Sequence, residues 1–149
     1  RLALAYLFIL TYPGAPSIYY GDEIGLTGGK DPECRKTFPW DENEWNTDLR
    51  DQLKSYIALR NANPVLRTGA YKVIYAHDGV IAYTRKNEEQ TMLVILNAND
   101  APKTVTIPTG DAFAVGTKLK SQLSDRELVV TIDGIEDLEL KCLSGLVLA

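Results

Sequence analysis

Histidine, cysteine and methionine are scarce in this chain: one His, two Cys and one Met among 149 residues. A lone His77 gives no basis for a histidine-built zinc site, and neither a metal nor any other cofactor is expected. Cys34 and Cys142 are far apart and in no metal-ligand spacing, so a disulfide framework is not expected either. That usage suits a reducing compartment, and the expectation is a cytoplasmic protein, with a secreted one as the alternative. Basic residues are outnumbered, 16 Lys and Arg against 20 Asp and Glu, for a net charge of −4. Such a balance supplies no cationic stripe for nucleic acid. Long apolar runs are missing too. The longest, within Arg1–Tyr12, is about half the ~20 residues that cross a bilayer, so no membrane partner is expected. It carries no initiator Met and no small-x-small cleavage site, which argues against a secretory leader. Length is a further limit, since a closed (β/α)8 barrel needs roughly 200 residues or more.

What remains is a chain that is 45% hydrophobic, enough for one core with a small appendage. Its texture changes along its length. Arg1 to Tyr12 is almost wholly apolar and rich in helix formers. Pro13 ends that helix, having no N–H to donate, and Gly14 permits the turn. Ser17–Tyr20 is a short run without polar alternation, the pattern of a strand covered on both faces. A long loop from Gly21 to Asn46 follows, and loops of that size in compact domains are often functional. Asn46 or Thr47 then caps a helix whose stripe is Leu49, Leu53, Tyr56 and Ile57, and Asn63-Pro64 stops it.

Beyond Thr68 the pattern predicts short strands near 70–76, 79–86, 91–97, 103–107, 115–121, 127–132, 136–142 and 145–148. Asp78-Gly79 and Ser144-Gly145 are tight-hairpin signals. This half reads as an antiparallel sandwich or Greek-key domain.

Several stretches resemble one family. Pro13-Gly14-Ala15-Pro16-Ser17-Ile18-Tyr19-Tyr20-Gly21-Asp22-Glu23-Ile24-Gly25 resembles the end of the catalytic barrel in the α-amylase superfamily of glycoside hydrolases. The segment from Tyr56 to Tyr71 is similar to that superfamily's last barrel helix and its crossing into a C-terminal β domain. The more specific signal is Gly28-Gly29-Lys30-Asp31-Pro32-Glu33-Cys34-Arg35-Lys36-Thr37-Phe38-Pro39-Trp40, which resembles a rim loop of the neopullulanase, cyclomaltodextrinase and maltogenic amylase group. In that group the Asp and Arg of an Asp-Pro-x-Cys-Arg pattern bind a glucose unit, which implies substrate-binding roles for Asp31 and Arg35. The chemistry suits them, because a carboxylate accepts from sugar hydroxyls and a guanidinium donates in fixed geometry. A solvated Asp31–Arg35 ion pair is the plain alternative.

The resemblance implies an α/β fragment, the last αβα piece of a TIM barrel at residues 1–66, followed by an all-β domain at 67–149. It also implies a retaining hydrolase of cyclodextrins, pullulan or maltodextrins, acting through an Asp nucleophile, a Glu acid/base and a second Asp. All three are expected before Arg1, which leaves no catalytic residue in this chain. Asp22-Glu23 is not the pair, since neighbours on an extended segment point to opposite sides. Glu23 is instead expected to accept hydrogen bonds or meet a cation. His77-Asp78 lies in a hairpin turn and is likewise no catalytic aspartate.

Two other readings compete: a stand-alone carbohydrate-binding module, and a structural or dimerisation module without catalysis. The apolar residues of 1–25 are expected to fold back on the β domain, to pack against the missing barrel, or to self-associate.

Overall fold

The computed structural model describes residues 1–149. Helix α1 spans Leu2–Thr11 and stops before Pro13. Helix α2 spans Thr47–Ala62, capped by Asn46, whose side-chain oxygen accepts from the Leu49 amide at 3.0 Å. A single turn, α3 (Val65–Thr68), follows Pro64 and leads into the strands. Between α1 and α2 the chain makes only three short 3-10 turns, at Asp22–Ile24, Glu33–Arg35 and Glu42–Glu44.

One expected element is absent. Ser17–Tyr20 forms no strand, and Ile18, Tyr19 and Tyr20 are exposed. A strand needs a neighbour to accept and donate its ladder bonds, and no other segment of this chain runs alongside. All paired strands are antiparallel.

Eight strands form close to where the sequence places them: β1 (Ala70–His77), β2 (Val80–Lys86), β3 (Thr91–Asn97), β4 (Lys103–Ile107), β5 (Lys118–Lys120), β6 (Glu127–Val129), β7 (Ile135–Leu140) and β8 (Ser144–Leu148). The main sheet has the order β1-β2-β3-β8, and β4-β7 and β5-β6 are two-stranded ribbons. The β1-β2 connection is a two-residue turn. Asp78 and Gly79 both have positive φ, 49° and 72°, as a type I′ hairpin requires. A salt bridge from Lys103 to Asp78 holds that turn. The β5 ribbon joins the main sheet through reciprocal bonds between Lys120 and Ala149.

The main sheet is covered on both faces, which explains why β3 reads as continuous Met-Leu-Val-Ile-Leu. Leu93 and Ile95 face the ribbons, packing with Ile107, Leu119, Leu138 and Leu140. Met92, Val94 and Leu96 face the helices, packing with Leu7, Leu59, Val65 and Leu66. Helix α1 therefore lies on the β domain. Leu7 and Leu10 are buried, while Leu2 and Ile9 on its other side stay exposed.

The seam between helices and sheet is polar at its centre. Arg85 on β2 is fully buried and donates to Thr11 O at 2.6 Å, Leu66 O at 2.8 Å and Gly69 O at 2.8 Å. Arg60 on α2 donates to Leu10 O, Tyr12 O, Leu66 O and Gly14 O. Two guanidiniums thus cap the carboxyl end of α1, where the helix leaves carbonyls unpaired and partly negative. No carboxylate accompanies them, and burial draws both arginines below their ordinary pKa, each helped by a neighbouring cation.

Beside them Tyr83 is fully buried and shares a 2.5 Å hydrogen bond with Thr11 Oγ1. Burial pushes its phenol well above the ordinary range, and the same holds for Tyr6. The folded chain therefore keeps these protons when the unfolded chain loses them, near pH ~10. Their contribution to stability is complete below that pH and is lost as pH rises toward the folded-state values. Thermal melts between pH 9 and 11 should show falling stability, and Tyr83→Phe should flatten that fall while weakening the fold modestly at pH 7. Parallel slopes for the two proteins would remove Tyr83 as a source of alkaline sensitivity.

Candidate functional site: the rim loop

The loop from Gly21 to Asn46 is irregular but tied at several points. Tyr20 donates its hydroxyl to Lys36 O at 2.9 Å, and Trp45 Nε1 donates to Pro39 O at 2.8 Å. The Asn46 amide donates to Ile24 O at 3.0 Å, closing the loop at its base. Phe38 packs between Trp40 and Trp45, with ring centroids 5.0 and 5.8 Å away. The Arg50 guanidinium lies 4.8 Å from the centre of the Trp45 ring, a cation–π contact. Trp45 is thus an anchor, whereas Trp40 is 84% exposed.

On this frame the turn Glu33–Arg35 brings the two sequence candidates together. Arg35 Nε lies 3.1 Å from Asp31 Oδ1, and Arg35 Nη2 donates to Asp31 Oδ2 at 3.4 Å. The pairing is side-on, with both groups largely exposed, and the Asp31–Pro32 peptide between them is cis. Such an exposed pair adds little to stability. It does hold a carboxylate and a guanidinium in one orientation toward solvent, and each retains hydrogen-bonding capacity. Cys34, beside Arg35, is a free, exposed thiol.

A cavity of about 250 Å³ opens next to this turn, lined by Tyr19, Tyr20, Asp22, Leu26, Glu33 and Lys36 among others. Asp31 and Arg35 stand outside it. The sequence reading treats Asp22-Glu23 as extended, but the two residues begin a 3-10 turn between Gly21 and Gly25, both in the left-handed region. Asp22 accepts from Tyr6 Oη at 2.8 Å, which fastens the loop to α1. Glu23 does not meet the expected cation or donor, and its Oε2 is buried without a partner. His77 ends β1 and Asp78 turns the hairpin, remote in sequence from this loop. No group of three or more His, Cys, Asp or Glu side chains is arranged to hold a metal ion.

Sequence reasoning missed the two arginines that tie α1 to the sheet. Arg60 looks like a helix-surface residue, and Arg85 like an outward position of a half-exposed strand. The available signal was the apolar character of Val80–Tyr83 and of β3 beside it, which marks β2 as a doubly covered strand.

Residues 71–144 match the family described as neopullulanase-like, C-terminal domain. The cyclomaltodextrinase of a Bacillus species is 44% identical over 112 residues, covering 74% of this chain and 20% of that protein. The amylopullulanase of Thermoanaerobacter thermohydrosulfuricus is 38% identical over 159 residues, covering 99% of this chain and 10% of that one. Among solved structures, the α-amylase of Geobacillus thermoleovorans complexed with acarbose superposes with a TM-score of 0.88. It shares 29% identity, and the match covers 99% of this chain and 32% of that one. The chain spans between a tenth and about a third of the length of these proteins.

Proposed function

We propose, for a chain that belongs to the neopullulanase-like members of the α-amylase family, that it forms the C-terminal part of a retaining α-glucan hydrolase. Residues 1–66 end the catalytic (β/α)8 barrel, and residues 67–149 form the C-terminal β domain. The substrates are cyclodextrins, pullulan or maltodextrins, and the catalytic Asp, Glu and Asp are supplied from outside residues 1–149. Cyclomaltodextrinase and amylopullulanase relatives support this reading of the whole enzyme over a stand-alone binding or structural module.

The observation that carries the site is the side-on Arg35–Asp31 pair, presented to solvent from an anchored loop. In this reading Asp31 accepts from two hydroxyls of one glucose unit and Arg35 donates to a ring substituent beside it. The exposed apolar residues Ile18, Tyr19 and Tyr20, with Leu2 and Ile9 on α1, pack against the rest of the barrel. In that setting Ser17–Tyr20 gains the strand neighbours it lacks here.

The 149-residue chain by itself is expected to release no reducing sugar from cyclodextrin, pullulan or starch. Measurable turnover, abolished by Asp22→Asn or Glu23→Gln, would place the catalytic carboxylates in this chain and overturn the division of labour. Within the whole enzyme, Asp31→Ala should raise KM for short maltodextrins while the melting temperature stays put. A normal KM would take Asp31 out of the site.

A further inference from the structure

We propose that this chain carries a second carbohydrate site, remote from the rim loop, in the groove between the two helices and the end of the β domain. The groove has a volume of about 1010 Å³. Its floor is apolar, built by Leu4 and Leu7 of α1, Leu59 of α2 and Leu146 of β8. Its rim is amide and hydroxyl: Ser55, Asn63, Ser121 and Ser124 are held by hydrogen bonds within the chain, while the Gln52 amide and the Gln122 carbonyl oxygen stay free. No carboxylate lines it, although the chain carries 20 Asp and Glu, and Lys141 is its one cation.

An apolar floor under a rim of uncharged hydrogen-bonding groups matches the two chemistries of a sugar ring. The ring's C–H face packs against carbon while its equatorial hydroxyls meet amides and hydroxyls. Tyr56 is placed to do both. Its ring is half-buried against two core clusters, and its hydroxyl has no hydrogen-bond partner. Its phenol is protonated at neutral pH and so is free to donate. The Gln52 amide and the Lys141 ammonium are also without partners. Gln122 uses only its Nε2, on Lys120 O at 3.1 Å, leaving its carbonyl oxygen free to accept.

The groove does not close at its far end. Past Ser124, Lys141 and Ser144 the groove continues into a further cleft of about 440 Å³, walled by Pro102, Arg126 and Glu139. Arg126 spends one Nη1 bond on Glu139 O at 3.0 Å, and its remaining N–H groups are unassigned. Arg126, Lys141 and Glu139 make this second cleft charged, so the neutral-sugar reading belongs to the first groove. The choice of α-glucan as occupant rests on the family reading above, whereas the class, a neutral oligosaccharide, rests on the lining itself.

The test is a titration of the 149-residue chain with maltotetraose, followed residue by residue through amide chemical shifts. Shifts are expected at the Gln52 and Gln122 side-chain amides and at the backbone of 121–124 and Gly145. They should persist in Arg35→Ala. Tyr56→Ala, and separately the double change Gln52→Ala with Gln122→Ala, should weaken binding at least tenfold. The two glutamines are exposed, so the double variant keeps the fold if Tyr56→Ala does not. Shifts confined to residues 30–40 would overturn the groove and leave the rim-loop reading standing. Shifts in the groove alone would support this site. No shift anywhere up to millimolar sugar, or groove shifts unaffected by the glutamine changes, would also overturn the proposal.

Discussion

Arg85→Met is expected to lower the free energy of unfolding by about 3–5 kcal/mol, a large part of the ~5–15 kcal/mol that a domain of this kind has in total. Replacing a buried ion pair by apolar residues is often neutral, because the desolvation cost of both charges disappears together. That compensation is not available here. The partners of Arg85 are the main-chain carbonyls of Thr11, Leu66 and Gly69, which no side-chain change removes. Leu66 O keeps its bond from Arg60, but Thr11 O and Gly69 O lose the side-chain donor that the structure gives them. Each buried acceptor left unpaired costs about 1–3 kcal/mol. Arg85→Lys should recover less than half of the loss, since one ammonium does not reproduce a planar fork spread over three acceptors. Denaturant midpoints of the three proteins give the answer, and a Met variant as stable as the parent would show that the carbonyls find other donors. By contrast, removing Arg1, exposed and paired only with Asp100, should change stability little.

In the whole enzyme, Arg35→Ala should reduce kcat/KM on short maltodextrins by about 10- to 150-fold, the equivalent of losing one charged hydrogen bond at 1.5–3 kcal/mol. Folding should be nearly unaffected, because Arg35 is exposed and its partner Asp31 is solvated without it. If the contact forms with the ground-state sugar as strongly as with the transition state, the change appears in KM; if it tightens as the bond breaks, it appears in kcat. Arg35→Lys should recover little, having charge but no fork. Unchanged kinetics would reduce the Asp31–Arg35 pair to a solvated ion pair on a loop.

Most of the β domain was legible in the sequence. Turn residues such as Asp78-Gly79 bound several strands, and all eight stand close to where the sequence places them, although Ser144-Gly145 begins β8, paired with β3, instead of turning a hairpin. The end of α1 at Pro13 and the Asn46 cap are local in the same sense. The Asp31–Arg35 pairing was legible too, being four residues apart within one loop.

Other features are decided only by what packs where. Ser17–Tyr20 has strand-forming residues, yet a ladder is a property of two segments, and this chain supplies no second one. The conformation at Asp22-Glu23 follows from the left-handed glycines at 21 and 25 and the Tyr6 bond, which turn the backbone where an isolated dipeptide reads as extended. Arg60 and Arg85 are charged residues that single-residue hydrophobicity places at the surface. The tertiary structure buries them because α1 ends above the main sheet with its last carbonyls unpaired, and only long cationic side chains from α2 and β2 reach that point. Local sequence chooses elements through bonds a few residues long. The seam between those elements joins groups up to 74 residues apart, and there the free carbonyls of one element select the buried charge on another.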